Sequence, residues 1–354
     1  MGVRGTGRLV AIAVALIAAT GLAACGDGAG AGGPQDGAST LRLGYFPNIT
    51  HAPALIGVQN KIFEKHLGGV KLETTTFNAG PSAIEAMLSD AIDATYIGPN
   101  PAINGWSQSK GTLLRVIAGT TSGGAALVVK PTINSPQDLK GKKIATPQLG
   151  NTQDVALRYW LEGLGFATDK AGGGDVHVTP TPNAEIITGF ADGAIDGAWV
   201  PEPFLSRLVV EHGGKVLLDE KTLWPNGDFV TTHLIVSKKF LDRNPTIVSN
   251  LLKGHLEAVE LAATGSAEAK KAANDHLAAL TGKGLPDNIL DASFANLKFT
   301  VDPIASSLDG SAKHAQDVGL LSPVDLKGIY VLEPLNALLK QAGKPEVSAG
   351  GLSP

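Results

Sequence analysis

The chain has little sulfur, with a single cysteine and two methionines in 354 residues. One cysteine excludes a disulfide scaffold and any cysteine-rich zinc or iron–sulfur site. Cations are not clustered either, and 29 Lys and Arg against 33 Asp and Glu give a net charge of −4. Phosphate contact needs clustered Lys and Arg, so nucleic acid is not an expected partner. The hydrophobic content of 43% excludes a disordered chain, and the length allows two domains.

Common catalytic and metal-binding motifs are also missing. The patterns GxSxG, HExxH and GxxxxGK[ST] do not occur, and the eight histidines are scattered without a pair at metal-ligand spacing. The run GAGAGG (28–33) satisfies GxGxxG, but no predicted strand precedes it and no helix follows it. We therefore expect no catalytic residue, no metal site and no cofactor, and we predict that the chain is not an enzyme.

The N-terminus has the pattern of a processing segment. Arg4 and Arg8 precede an apolar run over 9–20, which is shorter than the ~20 residues of a membrane span. Small residues then lead to Cys25, an ending that resembles the bacterial lipobox. We predict a lipoprotein signal over 1–24, a lipid on Cys25 and a glycine-rich tether over 25–39. The alternative is an ordinary signal peptide that leaves a free thiol.

From residue 40 onward, short apolar strands alternate with helical patterns, which is typical of layered α/β proteins. The chain is mostly helical from residue 238, where Pro245 fits the first turn of a helix. The predicted strands are 41–45, 70–77, 94–97 and 141–145, and the predicted helices are 51–67, 81–89, one from about residue 100, and 151–163.

Two segments about a hundred residues apart share one layout. Residues 81–101 and 183–203 each contain a helical stretch, an Ile-Asp pair, a short apolar strand and a Pro-x-Pro turn. We interpret them as equivalent parts of two similar α/β lobes, the alternative being chance similarity between two αβ units. Ligands of open α/β sheets bind beyond the carboxyl ends of the strands, where both turns are expected.

Five segments in order carry a family resemblance: GYFPNITHAPAL (44–55), FNAGPSAIEAM (77–87), AIDATYIGPNPAI (91–103), DLKGKKIATPQLGNTQDVALRYWL (138–161) and AIDGAWVPEPF (194–204). The chain resembles the substrate-binding lipoproteins of bacterial ABC importers, in the branch for aliphatic sulfonates, taurine and nitrate. The resemblance implies a type II bilobed periplasmic-binding-protein fold with two hinge crossings, near 124–130 and 228–232. The first lobe would comprise 40–129 and 232–354, and the second lobe 130–231.

Helix starts supply most of the candidate ligand-binding residues, because unpaired N–H groups and a partial positive charge favour an anion there. Gly150, Asn151 and Thr152 form the leading candidate, and the resemblance implies that this position holds the anionic head of the ligand. The others are Gly80 and Pro81; Gly98, Pro99 and Asn100; Asn48, Thr50 and His51; Thr121 and Ser122; and Trp199 and Glu202. Helix caps and turn residues are the alternative reading. Trp199 pointing into the sheet and Glu202 bonding between the lobes are alternatives as well.

The resemblance implies an extracytoplasmic solute-binding protein, anchored to the cell membrane by lipid, that delivers a small solute to a permease and its ATPase. We expect a monomer that captures a small anion, an aliphatic sulfonate in the first place. The alternatives are a receptor for nitrate or taurine, a receptor for a neutral heterocycle such as a pyrimidine precursor, and a ligand-sensing lipoprotein without a transport role.

Overall fold

The computed structural model describes residue 2 and residues 37–354. The predicted signal sequence, the lipidated Cys25 and most of the tether lie outside these residues. Within them, no helix has both the length and the apolar composition needed to cross a bilayer.

The strands and helices of the described chain follow the predicted alternation. The strands are Thr40–Tyr45 (β1), Lys71–Thr76 (β2), Ala94–Ile97 (β3), Leu114–Gly123 (β4), Ala125–Val129 (β5), Lys143–Thr146 (β6), His177–Pro180 (β7), Gly197–Pro201 (β8), Lys215–Asp219 (β9), Val230–Ser237 (β10) and Leu297–Phe299 (β11). The helices are Ala52–Gln59 (α1), Ile62–Leu67 (α2), Gly80–Leu88 (α3), Pro99–Gln108 (α4), Thr152–Gly163 (α5), Asn183–Ala191 (α6), Phe204–Val210 (α7), Lys238–Arg243 (α8), Pro245–Ala263 (α9), Ala267–Thr281 (α10), Asp287–Ala295 (α11), Ala305–Asp317 (α12) and Glu333–Gln341 (α13).

The strands form two sheets, one in each of two lobes. The first sheet has the order β11-β4-β10-β3-β1-β2, and the second has the order β7-β6-β8-β5-β9. We call the part built on the first sheet the first lobe and the part built on the second sheet the second lobe. Apolar clusters cover both faces of each sheet, so each lobe is a helix–sheet–helix sandwich. The predicted bilobed α/β architecture is confirmed.

The two sheets share one pairing pattern. The series β2-β1-β3-β10-β4 has two parallel pairs followed by two antiparallel pairs, and β7-β6-β8-β5-β9 repeats it. The aspartates of the two Ile-Asp pairs also accept equivalent hydrogen bonds from the backbone of the neighbouring strand. Asp93 accepts a hydrogen bond from the N–H of Arg42, and Asp196 accepts one from the N–H of Lys143, both at 2.9 Å. Each aspartate thus fixes the start of β3 or β8 against its parallel neighbour, which explains the internal repeat.

The chain passes twice between the sheets. The first passage is at Gly124, between β4 and β5, and the second lies between the end of β9 and Val230. Strand β5 therefore pairs within the second sheet, whereas the predicted limits assign residues up to 129 to the first lobe. Val230 and Thr231 likewise begin β10 of the first sheet rather than ending the second lobe. We propose Gly124 and Val230 as the lobe boundaries in place of 129 and 231.

One predicted helix is interrupted. Residues 51–67 form α1 and α2, separated by Lys61 in the left-handed region with a φ of 55°. The break lets α2 pack against α9 while α1 contacts both α9 and α10. Pro245 stands at the start of α9, as predicted.

Candidate functional site

A small cavity of about 20 Å³ lies between the two lobes, at the carboxyl ends of the parallel strands. That volume holds about one water-sized group, so the lobes nearly touch in this structure. Its lining residues are Phe46, Asn48, Thr50, His51, Asn78, Gly80, Gly98, Pro101, Thr231 and Thr232 from the first lobe, and Pro147, Asn151, Thr152, Gln153, Asn183 and Pro201 from the second.

Four helices begin at this cavity. Helices α3, α4, α5 and α6 follow the parallel strands β2, β3, β6 and β7, and each contributes residues of its first turn or its N-cap to the lining. The N-terminus of a helix presents N–H groups without intrahelical partners and the positive end of the helix dipole. Four such ends around one cavity favour an anion bound by neutral donors.

The start of α5 is held by a buried network. Asn151 caps the helix by accepting from the N–H of Gln153 at 2.8 Å. The carboxylate of Asp154 accepts from the N–H of Gly150 at 2.9 Å and from Nε of Arg158 at 3.1 Å. Arg158 is thereby paired inside the second lobe and does not line the cavity. These bonds fix the loop before α5 and thereby the position of the helix end.

Two buried polar atoms at the cavity have no partner among the described residues. They are Oγ1 of Thr152 and Oδ1 of Asn183, whose residues are 6% and 3% exposed. A buried polar group without a hydrogen bond costs about 1–3 kcal/mol. The hydroxyl of Thr152 can donate, and the amide of Asn183 can present its oxygen or, after rotation, its NH₂ group. A bound ligand would satisfy both.

The imidazole of His51 is neutral. It is buried, stacks on Phe46 with a centroid distance of 4.3 Å, and its Nδ1 accepts from the N–H of Phe46 at 3.3 Å. Burial lowers the pKa of His51 from 6.5 to about 3. The proton of the neutral ring is then on Nε2. Because the lining includes no Lys, Arg, Asp or Glu, the cavity carries no formal charge at neutral pH.

Seven of the predicted residues line the cavity: Asn48, Thr50, His51, Gly80, Gly98, Asn151 and Thr152. Pro81, Pro99 and Gly150 are their chain neighbours and stand beside the same helix starts without lining it. Three further predicted residues are committed to internal bonds. Asn100 donates to the carbonyl of Ser311, Thr121 donates to the carbonyl of Thr50, and Ser122 accepts from the N–H of Phe229.

Trp199 and Glu202 lie away from the cavity, contrary to the prediction. The indole of Trp199 is buried on one face of the second sheet and donates to Glu220 at 2.8 Å. The carboxylate of Glu202 accepts from Ser206 of its own lobe and, across the lobes, from Ser293 and Asn296 of the first lobe. Burial raises the pKa of Glu202. Trp199 therefore occupies the alternative position inside the sheet, and Glu202 makes the alternative hydrogen bonds between the lobes.

Other lining residues were not predicted: Phe46, Asn78, Pro101, Pro147, Gln153, Asn183, Pro201, Thr231 and Thr232. Asn183 could have been found, because it starts the repeat segment whose counterpart begins at Pro81. Asn78 could have been found as the polar residue after the second strand. Thr231 and Thr232 lie within the predicted crossing at 228–232 and could have been found there, as Thr121 and Ser122 were named near the first crossing.

A second cavity of about 300 Å³ opens from this region and shares Asn48, Asn78 and Asn183 with the first. Its remaining walls combine apolar side chains, among them Phe204, Leu277 and Leu285, with charged ones at its edge. Those charged residues are Arg207, Glu211 and Lys283, of which Arg207 is paired with Glu211 at 2.8 Å. We call this second cavity the mouth cavity.

Comparisons with known proteins give a consistent family. The model of the NMT1-like family matches residues 35–278. The taurine-binding periplasmic protein of Escherichia coli strain K12 is 29% identical over 209 residues, covering 58% of this chain and 62% of that protein. The chain thus matches only about three fifths of that relative. A putative aliphatic sulfonates-binding protein of Bacillus subtilis strain 168 is 28% identical over 260 residues, covering 72% of this chain and 73% of that protein.

The fold has relatives among solved structures. The alkanesulfonate-binding protein SsuA from Xanthomonas axonopodis pv. citri, bound to MOPS, superposes with a TM-score of 0.67 at 20% identity. The superposition covers 80% of this chain and 95% of that one. This likeness establishes the bilobed fold.

Proposed function

Because the chain belongs to the NMT1-like family, we propose that it is the solute-binding protein of an ABC importer, and that its ligand is a small organic anion of the aliphatic sulfonate class. The ligand binds in the cavity between the lobes, and the closed form delivers it to a permease. The protein acts by binding, not by catalysis. It works on the outer face of the cell membrane, held there by the lipid on Cys25.

One observation carries the proposal: four helix N-termini and two unpartnered polar side chains converge on a cavity without formal charge. The oxygens of a sulfonate accept hydrogen bonds from N–H groups and from the hydroxyl of Thr152. A sulfonate is larger than the present cavity, so the lobes separate slightly to admit it. The relatives named for taurine and for aliphatic sulfonates support the same ligand class.

The mouth cavity favours an anion with an organic tail over a bare inorganic anion. The shared asparagines place it next to the helix ends, and its volume of about 300 Å³ gives room for several carbon atoms. Phe204, Leu277 and Leu285 give that tail apolar contacts, each buried methylene being worth about 0.8 kcal/mol. Nitrate and sulfate have no tail to use this space.

We expect calorimetry to rank butanesulfonate at least about tenfold tighter than nitrate, sulfate and a thiamine-type pyrimidine. Butanesulfonate at 100 times its Kd should stabilise the protein by about 2.7 kcal/mol in a thermal melt. Binding of the pyrimidine alone would overturn the anion assignment and keep the fold. Binding of nitrate as tightly as butanesulfonate would overturn the role of the mouth cavity.

Thr152→Val removes the unpartnered hydroxyl and keeps the shape of the side chain. We expect it to weaken butanesulfonate binding about tenfold, because one hydrogen bond to a charged ligand is lost. Thr188→Val, on the exposed side of α6, is the matched control and should leave the Kd unchanged. Equal affinities for the two variants would show that the hydroxyl of Thr152 does not contact the ligand.

Binding should not depend on pH in the physiological range. His51 is the titratable side chain in the cavity lining, and with a pKa of about 3 it stays neutral as the pH falls from 8 to 5. We expect the Kd of butanesulfonate to change by less than about twofold over that range. An affinity that rises as the pH falls through 6.5 would mean that His51 is protonated when the ligand is bound.

A further inference from the structure

A larger cavity of the described chain is separate from the central cavity. It has a volume of about 680 Å³, within the usual range of small-molecule sites, and none of its lining residues lines the central cavity. Helix α5 and the segment after β9 from the second lobe and helix α12 from the first lobe form its walls, so this cavity also lies between the lobes. Its lining residues are Ala156, Tyr159, Trp160, Glu162, Gly163, Leu164, Glu220, Leu223, Trp224, His314 and Asp317.

Aromatic rings dominate these walls. The rings of Tyr159 and His314 stack with a centroid distance of 3.7 Å, and Trp224 lies 5.2 Å from His314. Trp160 packs edge-on against the buried Trp199 at 6.0 Å. Tyr159, Trp160 and Trp224 are all only half-buried. Three large half-buried rings around one cavity are the usual composition of a site that binds a cation through π-faces.

The lining contains carboxyl groups but no Lys or Arg, so any formal charge from these residue types is negative. Its ionisable side chains are the carboxyl groups of Glu162, Glu220 and Asp317 together with Tyr159 and His314, and no Lys or Arg is among the lining residues. Asp317 is bonded by the exposed Lys313 at 2.8 Å. Glu220 accepts from the indole N–H groups of Trp199 and Trp224. Glu162 is exposed and makes no ion pair within the described part of the chain, so its negative charge is available to a ligand.

We propose that this cavity is a second binding site, which takes a small organic cation of the quaternary ammonium type. The methyl groups of the cation would contact Trp160 and the faces of Trp224 and Tyr159 that do not stack on Phe229 and His314, and Glu162 at the rim would balance its charge. The central cavity suits an anion and has neither wall aromatics of this kind nor a carboxylate. The two sites therefore select opposite charges, and this proposal does not depend on the identity of the anion.

The test titrates choline into the full chain and follows tryptophan fluorescence and heat. The control ligand is 3,3-dimethylbutan-1-ol, which replaces the trimethylammonium group of choline by an uncharged group of the same shape. We expect saturable choline binding and at least about tenfold weaker binding of the alcohol. Equal affinities would overturn the proposal in favour of a merely apolar groove. Absence of saturation up to ~50 mM choline would also overturn it.

Substitutions in the lining test whether choline binds in this cavity. Trp224→Leu should weaken choline binding about tenfold and Trp224→Phe much less, because phenylalanine keeps a π-face. Glu162→Gln, a surface change that leaves the core intact, should weaken it severalfold, and the exposed Glu268→Gln on α10 is its matched control. Thr152→Val should have no effect on choline. Unchanged choline affinity in both Trp224→Leu and Glu162→Gln, or a loss in Thr152→Val, would place choline elsewhere and overturn the assignment.

Discussion

Gly98→Ala should weaken butanesulfonate binding about 10- to 100-fold while leaving the unliganded fold intact. Gly98 precedes α4 with a φ of −72°, which alanine adopts without strain. A Cβ at this position would lie 2.4 Å from Oγ1 of Thr152. The next nearest atoms are Cβ of Thr152 at 3.5 Å and the carbonyl oxygen of Thr231 at 3.6 Å. The clash is therefore between the lobes rather than within one of them.

The size of the effect follows from the distance the methyl group requires. The methyl group keeps the starts of α4 and α5 about 1 Å farther apart than they are in this structure, and separation beyond that needed to admit the sulfonate breaks up to two or three ligand hydrogen bonds worth about 1 kcal/mol each. If Thr152 rotates about χ1 instead, its hydroxyl leaves the cavity and one bond is still lost. Either response weakens the closed, liganded state.

A double variant tests the cause. Thr152→Ala removes the atom that the new methyl group would meet, so Gly98→Ala with Thr152→Ala should bind more tightly than Gly98→Ala alone. Gly189→Ala is the matched control, because a Cβ there would meet nothing nearer than 3.8 Å. Calorimetry gives the four Kd values, and thermal melts without ligand report the fold. A double variant that binds no better than Gly98→Ala would contradict separation of the lobes as the cause.

Glu220→Gln should remove one contribution to the pH dependence of stability, a loss of about 3 kcal/mol from the carboxyl of Glu220 as the pH rises from 4.5 to 7. Burial raises the pKa of Glu220 from its ordinary value of 4.5 to about 7, against the opposing effect of the indole N–H groups of Trp199 and Trp224. Below pH 4.5 the carboxyl is protonated in both the folded and the unfolded chain. As the pH rises, the unfolded chain loses this proton first. The contribution of Glu220 to the free energy of unfolding therefore falls between pH 4.5 and 7 and is constant above that.

The measurement compares urea unfolding of the two proteins at several pH values. Burial lowers the pKa of His51, His233 and His255, and these groups increase stability with rising pH below about 6.5. They are common to both proteins, so the difference between the two curves isolates Glu220. The exposed Glu268→Gln should retain the wild-type curve. Parallel curves for wild type and Glu220→Gln would show that folding does not raise the pKa of Glu220.

Local patterns predicted the elements well because each depends on residues close in sequence. The boundaries of β3 and the cap of α5 at Asn151 follow from an apolar run and from a side chain that bonds two residues away. The internal repeat predicted two equivalent lobes, because both Ile-Asp pairs make the same backbone bond. The interruption at Lys61 was missed, because the packing of α2 on a helix nearly two hundred residues later selects it.

The sequence by itself determined the two-lobed α/β class and three of the four helix starts that face the cleft, because strand–helix alternation and capping residues are local properties. It also determined that the cleft holds no cluster of cations. Only the tertiary structure decided that Thr152 and Asn183 meet there as unpartnered groups, that Glu202 bonds across the lobes, and that Trp199 turns into the sheet. Those outcomes depend on how the two lobes pack together, and no spacing along the chain encodes that packing.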